Sequence, residues 1–146
     1  MLFSDIKKIL IKAEVKGKLS KKKIKYITNH SNKVDRDTLF VINKNKNFQQ
    51  SYLNDAISKG LTVILTNFYF KKISVAQVIV KDLDKEVYKL LKYRYPIKPK
   101  LSAAITGTNG KTSTAWYLTQ ICNINKIPTK LVGTLGYFEN LKKIKD

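Results

Sequence analysis

Apolar residues in the first hundred positions recur at two different spacings. From Ser4 to Ala13, the residues Ile6, Ile9, Leu10 and Ala13 fall three or four apart, which predicts a helix face with Ser4 as its N-cap. "IKYITNHS" and "DTLFVI" are short β-rich runs, and the polar "NKVDR" between them reads as a turn. A helix from about Gln50 to Lys59 carries Leu53, Ala56 and Ile57 on one side and stops at Gly60, a C-cap residue. "LTVILT" and "AQVIV" read as buried strands, and a second helix over about Asp84 to Tyr93 aligns Val87, Leu90 and Leu91. Strands alternating with helices predict an α/β layer with at least partly parallel pairing.

The pattern breaks at "YPIKPK", Tyr95 to Lys100, which holds two of the three prolines and suits an extended linker. Four of the six glycines follow it: Gly107, Gly110, Gly133 and Gly136. "LSAAIT" predicts a buried strand, "KTSTAWYLTQICNIN" a helix, and "TKLVGTLGYF" a strand running into a loop. The expected division is residues 1–97 and 98–146. A strand, a loop, a helix and a strand cannot close a core of their own, so the second unit reads as the beginning of a larger domain. No internal repeat or low-complexity tract is visible.

Composition narrows the class. An apolar fraction of 43% supports a packed core and excludes a disordered tail. The longest apolar run, "LTVILTNFYF", is broken by polar residues and does not make a membrane span. "MLFSDIKKILIKAEVKGK" lacks the tripartite pattern of a signal peptide. One cysteine, Cys122, allows no internal disulfide and fits a reducing compartment, so the cytoplasm is the expected location.

The net charge of +19 would attract polyanions, phosphorylated metabolites or anionic lipid. Yet only Arg36 and Arg94 among the 29 basic residues could form a bidentate fork, and the other 27 are lysines spread along the chain. The densest run is Lys21–Lys23. A solvated lysine surface is the simpler reading, with no specific nucleic acid expected. A lysine-rich nucleic-acid-binding protein is the alternative from another functional class.

"AITGTNGKTSTAWYL", Ala104 to Leu118, carries the chemistry. A strand that delivers a glycine-rich turn into a helix N-terminus points backbone N–H groups at one anion, and the helix dipole adds about half a positive charge. Gly107 and Gly110 can adopt conformations closed to other residues and let a phosphate approach the backbone. Lys111 can reach β- and γ-phosphate oxygens, and the Thr112 hydroxyl can join a magnesium shell. The usual phosphate loop has a further glycine ahead of the Gly-Lys pair, a place held here by Ile105 or Thr106 depending on frame. The shorter "GTNGKT" stands instead.

"ITGTNGKTST" resembles the ATP loop of the Mur ligases and their relatives, the folylpolyglutamate synthases and cyanophycin synthetases. "SNKVDRDTLFVI" is similar to the "DSR…GDLFVA" segment in the first domain of the ligases that add the third residue and the final dipeptide. "AISKGLTVIL" resembles the element that follows it, and "YRYPIKPKLSAAITGTNGKT" the approach to the ATP loop. "LVGTLGYF" resembles a "GT.GY" segment and, with "GTNGKT", favours the MurE type over the MurF type. The resemblance runs from about Ile27 to Phe138.

It implies a mixed α/β domain of UDP-binding type over residues 1–97, then the truncated start of a P-loop ATP-binding domain over 98–146. The implied activity is ATP-dependent amide ligation in peptidoglycan synthesis, joining a diamino acid to UDP-N-acetylmuramoyl-L-alanyl-D-glutamate through an acyl phosphate. Gly107, Thr108, Asn109, Gly110, Lys111, Thr112 and Ser113 would hold ATP, with Lys111 catalytic and Thr112 on Mg²⁺. Ser31 matches the family serine that contacts the uridine nucleotide, although His30 and Asn32 stand where Asp and Arg are usual. The loop "NKNKNFQQ" lacks the glycine-rich form common in the family. The family's further metal ligands, carbamylated lysine and third domain have no counterpart before Asp146, so the chain reads as an N-terminal fragment, inactive alone and monomeric.

Other chemistry-bearing residues have plainer expectations. His30 is expected on the surface or at a strand edge. Cys122 is expected in the core with Ala115 and Leu118, and Trp116 packed near the start of its helix. Phe68, Tyr69 and Phe70 are expected in core or interface packing.

Overall fold

A computed structural model describes residues 1–44 and 48–145, so part of "NKNKNFQQ" lies outside the described residues. The chain forms two compact units, Met1–Lys98 and Pro99–Asp146.

The first unit is built on five strands: β1 (Glu14–Lys16), β2 (Tyr26–Thr28), β3 (Thr38–Ile42), β4 (Val63–Thr66) and β5 (Ala76–Ile79). Their order is β1-β5-β4-β3-β2, parallel from β2 to β5, with β1 antiparallel on the β5 edge. Side chains alternate across this sheet, and each face has its own core. Leu39, Val63, Leu65 and Val78 pack with Phe3, Ile6, Leu10 and Leu90 on one side. Phe40, Ile42 and Ile64 pack with Leu53, Ala56 and Phe70 on the other. Burial on both faces explains why β3 and β4 read as unbroken apolar runs. Helices α1 (Ile6–Ile9) and α3 (Leu83–Arg94) therefore cover one face, and α2 (Gln50–Ser58) the other.

Local chemistry sets the helix ends. Asp82 caps α3 by accepting from Lys85 N–H at 3.0 Å, and Asp84 and Glu86 in the first turn oppose Lys92 and Arg94 in the last. After α2 the chain turns at Gly60 (φ +87°), and Leu61 N–H donates back to the Ala56 carbonyl at 3.1 Å.

The N-terminus departs from the helix expected over Ser4–Ala13. A 3₁₀ turn, Phe3–Asp5, leads into α1, which ends at Ile9. Ser4 is not the cap; instead the Asp5 carboxylate accepts from Leu2 N–H at 2.7 Å. Leu10 leaves helical geometry (φ −103°, ψ 69°) and stays fully buried, while Ile11 is 86% exposed. Breaking the helix there lets the chain enter β1, a strand the sequence did not announce because "EVK" acquires its ladder only from β5.

The second unit contains α4 (Lys111–Ile124) and an antiparallel meander of β6 (Lys130–Gly133), β7 (Gly136–Glu139) and β8 (Lys142–Lys145). Two expectations are corrected here. "LSAAIT" is not a buried strand: residues 101–106 form no ladder, and all except the half-buried Ile105 are exposed. A strand exists only through neighbours' hydrogen bonds, and the three strands of this unit pair among themselves. "TKLVGTLGYF" is a hairpin, not a strand fading into a loop, because Gly133 pairs with Gly136 around the two-residue turn Thr134–Leu135. Cys122 is half-buried, and Leu118 is 43% exposed, so the expected core thiol is not fully enclosed. In this unit only Thr119 and Phe138 are buried among the described residues, which leaves much of the apolar side of α4 uncovered.

Candidate functional site

Gly107 and Gly110 bracket the turn into α4 with left-handed backbone, φ +144° and +76°. A side chain at either would be strained by conformation, not by crowding. A Cβ on Gly110 would meet nothing within 4 Å, and one on Gly107 only the Asn109 carbonyl at 3.7 Å. The mouth of the loop is therefore open. Gly110 is the N-cap of α4, and its carbonyl accepts from Thr114 N–H at 2.9 Å to begin the helical ladder. The N–H groups of Lys111, Thr112 and Ser113 lie before that first bond, so the helix itself offers them no acceptor. No acidic residue occupies the first turn to neutralise the positive end of the dipole.

Lys111 folds back over this loop. Its ammonium donates to the Gly107 carbonyl and, at 2.9 Å, to the Thr108 carbonyl. Thr112 Oγ1 lies 2.9 Å from Thr134 Oγ1 in the β6–β7 turn. One turn further along α4, Trp116 meets Phe138 of β7 edge-on, with ring centroids 5.1 Å apart. Trp116 thus packs near the helix start as expected, and the hairpin touches α4 at two places one helical turn apart.

The structure brings the predicted residues Gly107 to Ser113 into one exposed loop and helix start. Its donor set suits a polyphosphate: orphan backbone donors, an ammonium folded over the turn and no acidic residue in the first helical turn. It also suits magnesium, which keeps most of its ligands as water and phosphate oxygens and needs few from protein. Thr112 would supply the protein's hydroxyl, and the described residues contain no cluster of three or more His, Cys, Asp or Glu to compete as a separate metal centre.

Ser31 belongs to the first unit. It opens the 3₁₀ turn Ser31–Lys33 between β2 and β3. Lys59 Nζ reaches Asp55 Oδ2 at 2.7 Å and the Ser31 carbonyl at 3.4 Å, so one lysine ties the Ser31 turn to Asp55. Lys59 first, then Ser31, hold the Asp55 carboxyl below its ordinary range. His30 is exposed, as expected. Phe70 is buried, whereas Phe68 and Tyr69 remain partly exposed, and Lys44 sits over the Phe68 ring.

One feature escaped the sequence reading. An open cleft at the carboxyl ends of β2 and β3 is lined by Asn29, Ile42, Asn43, Phe48, Tyr52 and Asp84. Carboxyl ends of parallel strands are where open α/β sheets take ligands. Asn29 and Asn43 each stand one residue past a strand end, but only the pairing of β2 with β3 brings them together.

No protein-family model matches the chain. Individual relatives do. The UDP-N-acetylmuramoyl-L-alanyl-D-glutamate--2,6-diaminopimelate ligase of Rickettsia prowazekii is 30% identical over 115 residues, 78% of this chain and 24% of that protein. The ligase of the same name from Rickettsia conorii is 35% identical over 103 residues, 70% of this chain and 21% of that protein. This chain is a homologue of the Mur ligases. The Chlamydia caviae relative, again a 2,6-diaminopimelate ligase, extends the match to 97% of the chain at 29% identity, covering 30% of that protein. The chain spans about a quarter of the length of these curated relatives. Among solved structures, MurF from Acinetobacter baumannii shares the fold with a TM-score of 0.66 at 21% identity, over 92% of this chain and 30% of that one. No described helix is long and apolar enough to cross a membrane.

Proposed function

We propose that this chain provides the nucleotide loop and the substrate-side α/β layer of an ATP-dependent amide ligase of peptidoglycan synthesis. The reading that fits best is addition of 2,6-diaminopimelate to UDP-N-acetylmuramoyl-L-alanyl-D-glutamate in the cytoplasm. The names carried by the relatives support this over the MurF type and over the wider superfamily. The observation that carries it is Lys111 folded over an open turn with left-handed glycines at the N-terminus of α4.

ATP with Mg²⁺ would supply a phosphoryl group that turns the substrate's terminal carboxylate into an acyl phosphate. The amino group of the diamino acid then displaces phosphate to leave an amide. The residues Gly107 to Ser113 bind and orient the phosphates through backbone donors at the helix start. Lys111 exchanges its two carbonyl partners for phosphate oxygens and offsets charge there. Thr112 holds the metal through its hydroxyl. Ser31 and the cleft at the ends of β2 and β3 are the places we assign to the uridine nucleotide. The chain acts as a monomer in this reading.

Calorimetric titration of the chain with ATP and Mg²⁺ tests the proposal. Saturable binding is expected, weakened about tenfold or more by Lys111→Ala, the scale of one charge-assisted contact. Equal affinity in parent and variant would overturn the assignment of the loop.

A further inference from the structure

The contact between Thr112 and Thr134 has a chemical consequence for the loop. A hydroxyl carries one proton and two lone pairs, and it can ligate a cation only through a lone pair. The proton must then point elsewhere, and it needs an acceptor to be held there. In the first turn of a helix a threonine has two ordinary options: donate to solvent, or donate back to a preceding carbonyl. Thr112 instead meets a side-chain oxygen from a different element, Thr134 Oγ1, at 2.9 Å.

The position of Thr134 is set by more than this one bond. It occupies the two-residue turn between β6 and β7, closed by the Gly133–Gly136 pair. Four residues on, Phe138 is buried against Trp116, which lies four residues after Thr112 on α4. The aromatic contact fixes the hairpin along the helix, and the turn then presents Thr134 to the first helical turn. Thr134 is itself exposed and contributes little to the core, so packing alone gives no reason for a hydroxyl there.

We propose that Thr134 is a positioning residue for the nucleotide loop: its Oγ1 accepts the Thr112 proton and leaves the Thr112 lone pairs free for a divalent cation. This rests on the reading of the loop as a Mg²⁺–nucleotide site. Groups that orient a metal ligand in this way typically contribute 10- to 100-fold in metal affinity.

The test is the Mg²⁺ dependence of ATP binding to this chain, measured by calorimetry across magnesium concentrations and in EDTA. Thr134→Val, which keeps shape and removes the acceptor, should raise the half-saturating Mg²⁺ concentration about tenfold. Its metal-free ATP affinity should match the parent, and Thr134→Ser should restore the parent magnesium response. Thr112→Val should abolish that response. If Thr112→Val does so while Thr134→Val behaves as parent, the positioning role is overturned and the loop assignment stands. A Thr134→Ser variant that behaves like Thr134→Val would also overturn it, because shape and not the hydroxyl would then matter. If the parent shows no magnesium-dependent ATP binding, the loop assignment fails and takes this inference with it.

Discussion

Gln77 and Phe70 close a two-bond ring inside the first unit: Phe70 N–H donates to Gln77 Oε1, and Gln77 Nε2 donates to the Phe70 carbonyl, both at 2.9 Å. Gln77 lies on β5 and is only 3% exposed, so its amide serves as a short strand for the connection between β4 and β5. The Phe70 ring is packed against Phe48 and Phe68, with centroids 5.3 and 5.5 Å away. Removing the amide would leave two buried backbone groups unpaired. Gln77→Leu should destabilise the unit by about 1–3 kcal/mol. Urea unfolding followed by circular dichroism would measure it, and an unchanged midpoint would mean the aromatic contacts alone hold that connection.

Asp35 gives the first unit an acid-sensitive joint. The Thr38 hydroxyl donates to it at 2.7 Å and Asp37 N–H at 2.8 Å, and Lys25 adds a favourable charge. The Thr38 bond is the main reason the carboxyl is held below its ordinary value. A carboxylate depressed in the folded state contributes stability that is complete above its unfolded pKa, about 3.9. That contribution is lost as pH falls through the lower folded value. Asp35→Asn should therefore lower stability near pH 7, and its difference from the parent should shrink once pH is taken below the ordinary carboxylate value of about 3.9. Parallel unfolding curves on either side of that value would decide, and a deficit independent of pH would refute the linkage.

Trp116 is the only tryptophan, which makes its contact with Phe138 directly observable. Edge-to-face pairs contribute about 0.5–1.5 kcal/mol beyond the area they bury. Phe138→Leu should shift Trp116 emission to longer wavelength and lower the stability of the second unit by about that amount. Unaltered emission would show that the ring is shielded by something other than β7.

The lysine surface and the loop lysine separate by salt and by mutation. Lys21, Lys22 and Lys23 are exposed, and no described residue forms an ion pair with them within 4.0 Å. Replacing all three by alanine should leave ATP affinity within about twofold. Any binding of mixed nucleic acid should fall steeply as salt rises, because it depends on counterion release. If the triple variant lost ATP binding while Lys111→Ala kept it, the basic surface would be the functional feature.

Much of the first unit is legible from apolar spacing because its elements are locally determined. Leu53 and Ala56 share a helix face whatever surrounds them, and Val63 to Thr66 form a run too apolar to lie anywhere but inside. Asp82 caps α3 through a residue three positions away. The loop is legible for a similar reason: two glycines beside Lys111 and Thr112, with a helix pattern following, act through neighbouring backbone. Where the local signal was weak or shared, the reading failed. The spacing over Ser4–Ala13 fits a helix, yet holding Leu10 in the core while feeding β1 stops the helix at Ile9.

From the sequence alone come the alternation of strands and helices, the break near the prolines, and the identity of the residues in the glycine turn. Each follows from side-chain volume, backbone freedom or a hydrogen bond spanning a few positions. The tertiary structure alone decided that β1 joins β5, that residues 101–106 have no strand partner, that Asn29 and Asn43 share a cleft, and that Thr134 meets Thr112. These are pairings between residues up to 65 positions apart, as with Glu14 and Ile79. A ladder or a shared hydroxyl bond exists only once both partners have been brought together, and no local preference of either one encodes the other.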